Sequence, residues 1–209
     1  MNLGQLSVRE FIGELSSDNP TPGGGSVAAL CGALGAALSA MVANLTVDRE
    51  KYEQTRESMD EVKKTAEKLS ARFLALMQED SDTYQKVMAA FELPRETDDQ
   101  MASRQKAIEE AMKKAAAVPL ETLRASEELI RIAREAVKGG NPNAITDAAA
   151  AVQLANTTAV VASYNVQINI SRIKDQAFVS KCEKEVTEIL NRQEALLSDV
   201  DGSANIYLA

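Results

Sequence analysis

The sequence predicts an all-α fold, a helical bundle centred on two long uncharged helices and assembled as a homo-oligomer. Three observations carry this. Apolar residues recur at helical spacing along most of the 209-residue chain, and no stretch keeps the alternation of a strand. Aromatic residues are only 4% and Trp is absent, so the core is Ala, Val, Leu, Ile and Met, which suits packed helices. Two segments are almost free of charge, one from Asn19 to Val47 and one from Gly139 to Ser171. The chain can bury a real core, and one domain over 1–209 is the simplest organisation.

Each element follows from local signals. Ser7 and Glu10 form a capping-box pattern, so a short helix runs to about Ser16. Pro20 and Pro22 then stiffen the chain. Gly23, Gly24 and Gly25 can take backbone angles that other residues avoid, and Ser26 is expected to cap the next helix. That helix is an Ala/Gly/Leu run in which Ala28, Gly32, Ala36 and Ala40 make a stripe of small residues. Asp48 to Phe91 is charged but helical in pattern, with Leu69, Phe73, Leu76 and Met77 apolar, and it stops at Leu93-Pro94. Thr97 and Gln100 open another helix, in which Pro119 marks a kink or a new start. Gly139-Gly140 stops it. A second nearly uncharged helix runs from about Ala144 to Ile170, and a last one over roughly Gln176 to Leu197.

Composition excludes several functions. A net charge of −8 argues against nucleic-acid or anionic-membrane partners. The uncharged run near the N-terminus is long enough for a membrane span, but its alanines, its interrupting Ser39, Asn44 and Thr46, and the absence of a basic flank argue for a core helix. No signal peptide is evident, so a cytoplasmic protein with two buried thiols, Cys31 and Cys182, is expected. Histidine is absent, which removes Ser-His-Asp and Cys-His catalysis and ordinary zinc sites, so no metal is expected. Acid–base work falls to Asp, Glu, Lys, Tyr or water.

Two features point to chemistry. The glycine loop feeding a helix N-terminus is a ready anion or carbonyl site, although a plain turn into a core helix explains it as well. Asp147 is the only charged side chain between Gly139 and Ser171. A first-turn acid complements the helix dipole, which explains it without catalysis. Its helix also carries Asn156, Tyr164, Asn165, Gln167 and Asn169, and the pair Asn165 and Asn169 shares a face. Such amides either tie helices together or hold a flat, polar heterocycle.

The run PTPGGGSVAALCGALGAALSAMV resembles the signature of the cyclodeaminase/cyclohydrolase family, which contains the C-terminal domain of formiminotransferase-cyclodeaminase and stand-alone bacterial methenyltetrahydrofolate cyclohydrolases. Thr46, Lys51 and Tyr52 agree with it, as do EDSDTYQKVMAAFELP around Asp80, AVPLE at Ala117 to Glu121, GGNPNAITDAAAA, and NVQINISRIKD from Asn165 to Asp175. Thr146 stands where the family often has Ser, and Tyr84 where Phe is common. The resemblance implies folate one-carbon chemistry on a homo-oligomeric all-α fold. No formiminotransferase domain precedes the match, so a single activity is expected.

Two reactions fit the resemblance. A cyclohydrolase adds water to the methenyl carbon of 5,10-methenyltetrahydrofolate and yields 10-formyltetrahydrofolate. A cyclodeaminase closes 5-formiminotetrahydrofolate and expels ammonia. Cyclohydrolase is the first expectation, and a non-catalytic helical folate-binding or assembly protein is the third reading. Burial raises an acid towards neutrality, which suits Asp147 first and Asp80 second to proton transfer. Lys51 and Lys174 are expected at the glutamate tail or in proton transfer. Thr21, Gly23, Gly24, Gly25, Ser26, Thr146, Asn165 and Asn169 complete the expected binding set. The folate substrate is the one organic ligand required. Two uncharged helices also strain the supply of covering helices in one chain, which favours a homodimer or a larger even oligomer.

Overall fold

A computed structural model describes residues 1–208, with side chains through Leu197. The described residues form helices joined by turns and loops, without strands. Six α-helices follow in order: α1 Val8–Leu15, α2 Gly24–Val47, α3 Arg56–Phe91, α4 Asp98–Gly139, α5 Ile145–Ile170 and α6 Gln176–Leu208. A 3-10 turn at Leu3–Gln5 precedes α1, and 3-10 turns at Glu50–Thr55 and Pro142–Ala144 lie before α3 and α5.

Both predicted capping boxes form. The Ser7 hydroxyl accepts from the Glu10 N–H while Glu10 accepts from the Ser7 N–H, and Thr97 and Gln100 repeat the arrangement. Gly140 follows the end of α4, as expected. Three local expectations change. The N-cap of α2 is Gly23, and Ser26 lies inside the first turn, fully buried. The chain after Asp48 first makes a 3-10 turn containing the non-helical Tyr52, so α3 begins only at Arg56. Pro119 neither ends nor restarts a helix: α4 runs through it for 42 residues. A proline inside a helix leaves the carbonyl four residues earlier without its usual donor. Here that carbonyl, on Ala115, accepts from the side-chain amide of Asn169 at 2.9 Å.

α2 lies against α3, α4 and α5. Its mean hydropathy of 1.9 over 18 residues would let it cross a membrane by composition alone. In this fold it is a central helix, and its buried hydroxyls bond back to its own turns, Ser39 to Gly35 and Thr46 to Val42. The small stripe is a seat for α3 of the same chain. A Cβ on Gly32 would come within 2.6 Å of the Phe73 ring, and Phe73 is fully buried. Truncating such a phenylalanine typically costs about 3–5 kcal/mol.

α5 runs antiparallel to α2. At one end the Asn141 N–H donates to Thr46 Oγ1 at 2.9 Å. At the other end Gly24 faces the Asn165 amide. α6 closes the bundle over α4 through Arg124–Glu185 and Arg192–Glu127 pairs and a buried hydrogen bond from Gln193 to Ser126. The faces of α2 and α5 are not fully covered: Leu34 is 50% exposed, and Tyr164 and Ile168 are each 61% exposed. Cys31 is therefore only half-buried, unlike Cys182, and both are free thiols.

Candidate functional site

A cleft of about 340 Å³ opens where the glycine loop meets the C-terminal parts of α5 and α3. Pro20, Thr21, Gly23, Gly24 and Gly25 form one wall, and Asn165, Ile168, Asn169 and Arg172 form another. Asp80, Thr83, Tyr84, Val87, Met88 and Phe91 of α3 and Met112 and Ala115 of α4 complete it. The volume and the mix of apolar lining with a few polar groups are those of a small-molecule site.

Asp80 is the acid at its base. The glycines matter there for close approach and not for unusual angles, since none has positive φ. A Cβ on Gly25 would overlap the Asp80 carboxylate. The first turn of α2 therefore sits directly on this acid, with free N–H groups and the positive end of the helix dipole beside it. The buried Ser26 hydroxyl donates to Asp80 Oδ2 at 3.0 Å and also lies 3.1 Å from the Met77 carbonyl. Burial pushes the Asp80 carboxyl above its ordinary value, while the side chain and backbone of Ser26 pull it back. Such an acid is poised to exchange a proton.

The two asparagines are held in place. Asn165 donates its amide N–H to the Val161 carbonyl at 2.8 Å, and Asn169 donates to Ala115. Each spends one N–H inside the protein, and its carbonyl oxygen and second N–H remain for a ligand.

Of the residues expected from sequence, the structure brings Thr21, Gly23, Gly24, Gly25, Asp80, Asn165 and Asn169 to the cleft. Ser26 stands behind Asp80 and orients it. Four others lie elsewhere. Asp147 and Thr146 are in the first turn of α5, 18 residues from Asn165, or about 27 Å along the helix. Lys51 is in the Glu50–Thr55 turn at that same far end, its ammonium 4.6 Å from the Tyr52 ring centre. Tyr52 in turn donates to Asn141 at 2.9 Å. Lys174 is exposed beyond α5 and does not line the cleft. Within one chain, Asp80 lines the cleft and Asp147 does not. Asp147 occupies a first-turn position that complements the helix dipole, and Asp80 faces the cleft.

Sequence reasoning missed Arg172 and the apolar wall of Met88, Phe91 and Met112. Arg172 stood two residues before the lysine chosen from the same motif. Among the described residues, no three His, Cys, Asp or Glu side chains come together to hold a metal ion.

The formiminotransferase-cyclodeaminase family pattern matches residues 7–188. The chain is 37% identical over 193 residues to a methenyltetrahydrofolate cyclohydrolase of Methylorubrum extorquens, covering 92% of this chain and 93% of that protein. It is 29% identical over 197 residues to the formimidoyltransferase-cyclodeaminase of Rattus norvegicus, covering 94% of this chain but 36% of that longer protein. The crystal structure of a formiminotetrahydrofolate cyclodeaminase from Thermotoga maritima superposes with a TM-score of 0.88 at 27% identity, over 98% of both chains.

Proposed function

The chain belongs to the formiminotransferase-cyclodeaminase family, and from that premise we propose that it is an enzyme of folate one-carbon metabolism that hydrolyses 5,10-methenyltetrahydrofolate to 10-formyltetrahydrofolate. The observation that carries this is Asp80: a partly buried carboxylate against a helix N-terminus, inside a cleft lined by two asparagine acceptors. The higher identity to a cyclohydrolase, 37% against 27% to the cyclodeaminase of known structure, favours hydrolysis over ammonia release.

The chemistry follows from the groups present. The methenyl carbon is part of a positive amidinium, which a carboxylate attracts. Asp80 takes a proton from the attacking water as the C–O bond forms. The resulting tetrahedral carbon bears a hydroxyl, N5 and N10. Asp80 returns the proton to N5, the C–N5 bond breaks, and the hydroxyl loses its proton as the N10 formyl group forms. One proton is released overall. Asn165 and Asn169 offer carbonyl oxygens to substrate N–H groups, and Tyr84 and Phe91 flank its flat rings. The cleft needs no cofactor beyond the folate itself.

The superposition with a cyclodeaminase favours a second reading on the same groups. There N10 attacks the formimino carbon, and Asp80 passes the N10 proton to the departing ammonia.

We further propose a homodimer through the exposed faces of α2 and α5. Asp147 is the only charged side chain on these two helices, so a second copy of the same surface meets few unpaired charges there. A two-fold axis across the middle of α2 lays the helices antiparallel between copies. The Asp147 end of one copy then reaches the cleft of the other, which gives Asp147 a role in trans.

Purified protein with 5,10-methenyltetrahydrofolate tests the first reading through loss of the methenyl absorbance. Parallel incubation with 5-formiminotetrahydrofolate tests the second through ammonia release. Turnover of neither compound overturns both.

A further inference from the structure

We infer that Arg172 is the anion-recognition residue of the cleft and binds the carboxylate tail of the substrate; this rests on the folate reading above. Among the residues lining the cleft only Asp80 and Arg172 are charged. Asp80 is partly buried at the base, and Arg172 is exposed at the wall formed by the end of α5. Apolar side chains, Met88, Phe91, Met112 and Ile168, line the space that these two share. A substrate whose cationic carbon lies between flat rings, with carboxylates at one end, matches these two charges. The reacting carbon belongs beside Asp80 and the carboxylates beside Arg172.

The segment that carries Arg172 is held before any ligand arrives. α5 ends at Ile170, and the next turn closes with the Ile173 N–H donating to the Ile170 carbonyl at 3.0 Å. Ile173 is buried as an anchor. Glu109 of α4 accepts from the backbone N–H groups of Lys174 and Asp175, both at 3.1 Å. Asp175 is paired with Lys113 at 2.7 Å.

The neighbouring acids are therefore already engaged: Glu109 holds backbone, and Asp175 holds a lysine. Arg172 makes no hydrogen bond or ion pair with the described residues. An unpaired guanidinium on a fixed turn beside a cleft is suited to bidentate carboxylate binding. Lys174, expected from sequence at the tail or in proton transfer, donates its backbone N–H to Glu109 and does not line the cleft. Since Arg172 sits at the exposed edge, further glutamates of a longer tail extend into solvent without enlarging the cleft.

The test compares two substrates and two variants. The substrates are 5,10-methenyltetrahydrofolate and 5,10-methenyltetrahydropteroate, which lacks the glutamate. Arg172→Gln is expected to raise KM for the folate about tenfold or more, the scale of a lost charged hydrogen bond, with kcat changed less than about twofold. With the pteroate, wild type and Arg172→Gln are expected to have equal KM. Arg172→Lys should recover part of the folate KM. An unchanged folate KM, or an equal rise for both substrates, overturns the assignment. Loss of kcat with KM intact also overturns it. If the wild type turns over neither substrate, nor 5-formiminotetrahydrofolate, the folate reading itself fails and the tail assignment with it. Melting temperature should not move, because no intramolecular bond is lost.

Discussion

Asn169 donates to the Ala115 carbonyl, the acceptor that Pro119 leaves open by lacking an N–H. A proline in the middle of α4 thus fixes a side chain of α5 at the edge of the cleft. The proline costs α4 one internal hydrogen bond, and the asparagine restores a partner for the exposed acceptor.

Replacing Pro119 by Ala tests this coupling. The new N–H at 119 can bond to Ala115 within α4 and compete with Asn169. Stability is expected to hold or rise, since proline is the poorest residue in a helix interior. KM is expected to rise as Asn169 loses its anchor. A variant with lower stability and unchanged KM would show that the proline serves packing alone.

Asp80→Asn is expected to lower turnover at least ~100-fold, the usual scale for a positioned acid or base. Its stability should respond in the opposite sense. Burial raises the Asp80 pKa in the folded protein. The protonated form is therefore favoured on folding, and the contribution is fully present below the ordinary carboxylate range. It is lost as pH rises through the raised value. The variant should match the wild type in melting temperature at acid pH and exceed it increasingly towards neutrality. A variant less stable than wild type at neutral pH would mean that the ionised carboxylate stabilises the N-terminus of α2.

Gly32→Ala should cost about 1–3 kcal/mol by forcing the Phe73 ring from its seat. Adding Phe73→Leu should recover part of that loss, because the double variant removes the overlap. Denaturant titration of the single and double variants measures the coupling. Strict additivity would place the strain elsewhere.

Asp147→Asn and Asp80→Asn should each be nearly inactive alone if Asp147 acts in trans. Co-refolded in equal amounts, they should recover about a quarter of wild-type activity, because half the dimers are mixed and each mixed dimer has one intact site. No recovery would remove the trans role. An active Asp147→Asn variant that loses about 1 kcal/mol or less would leave only the dipole role. Light scattering that finds a monomer at micromolar concentration would remove the dimer as well.

Activity of the wild type should survive a chelator. Loss on chelation with recovery on adding zinc would reverse the expectation drawn from a chain without histidine.

The sequence by itself determined the helices and most of their ends, because those signals act within four residues. Ser7 with Glu10 and Thr97 with Gln100 are readable caps, and Gly140 a readable stop. It also carried the family, through motifs spread in order along the chain, and most of one wall of the cleft. Only the tertiary structure decided which motifs meet. Ser26 reaches Asp80, and Asn169 reaches Ala115, each across 54 residues of chain. Such pairings depend on how α2 and α5 cross α3 and α4, which periodicity does not encode. The antiparallel run of α2 and α5 sends Thr146, Asp147 and Lys51 to one end of the bundle and the glycine loop, Asp80 and Asn165 to the other. It also turned the glycines from flexible joints into points of contact, since Asp80 and Phe73 fill the space where side chains would stand. Asp147 was conspicuous as a lone charge in an apolar segment, but whether such a charge faces a ligand depends on what packs around it, and packing is a property of the fold.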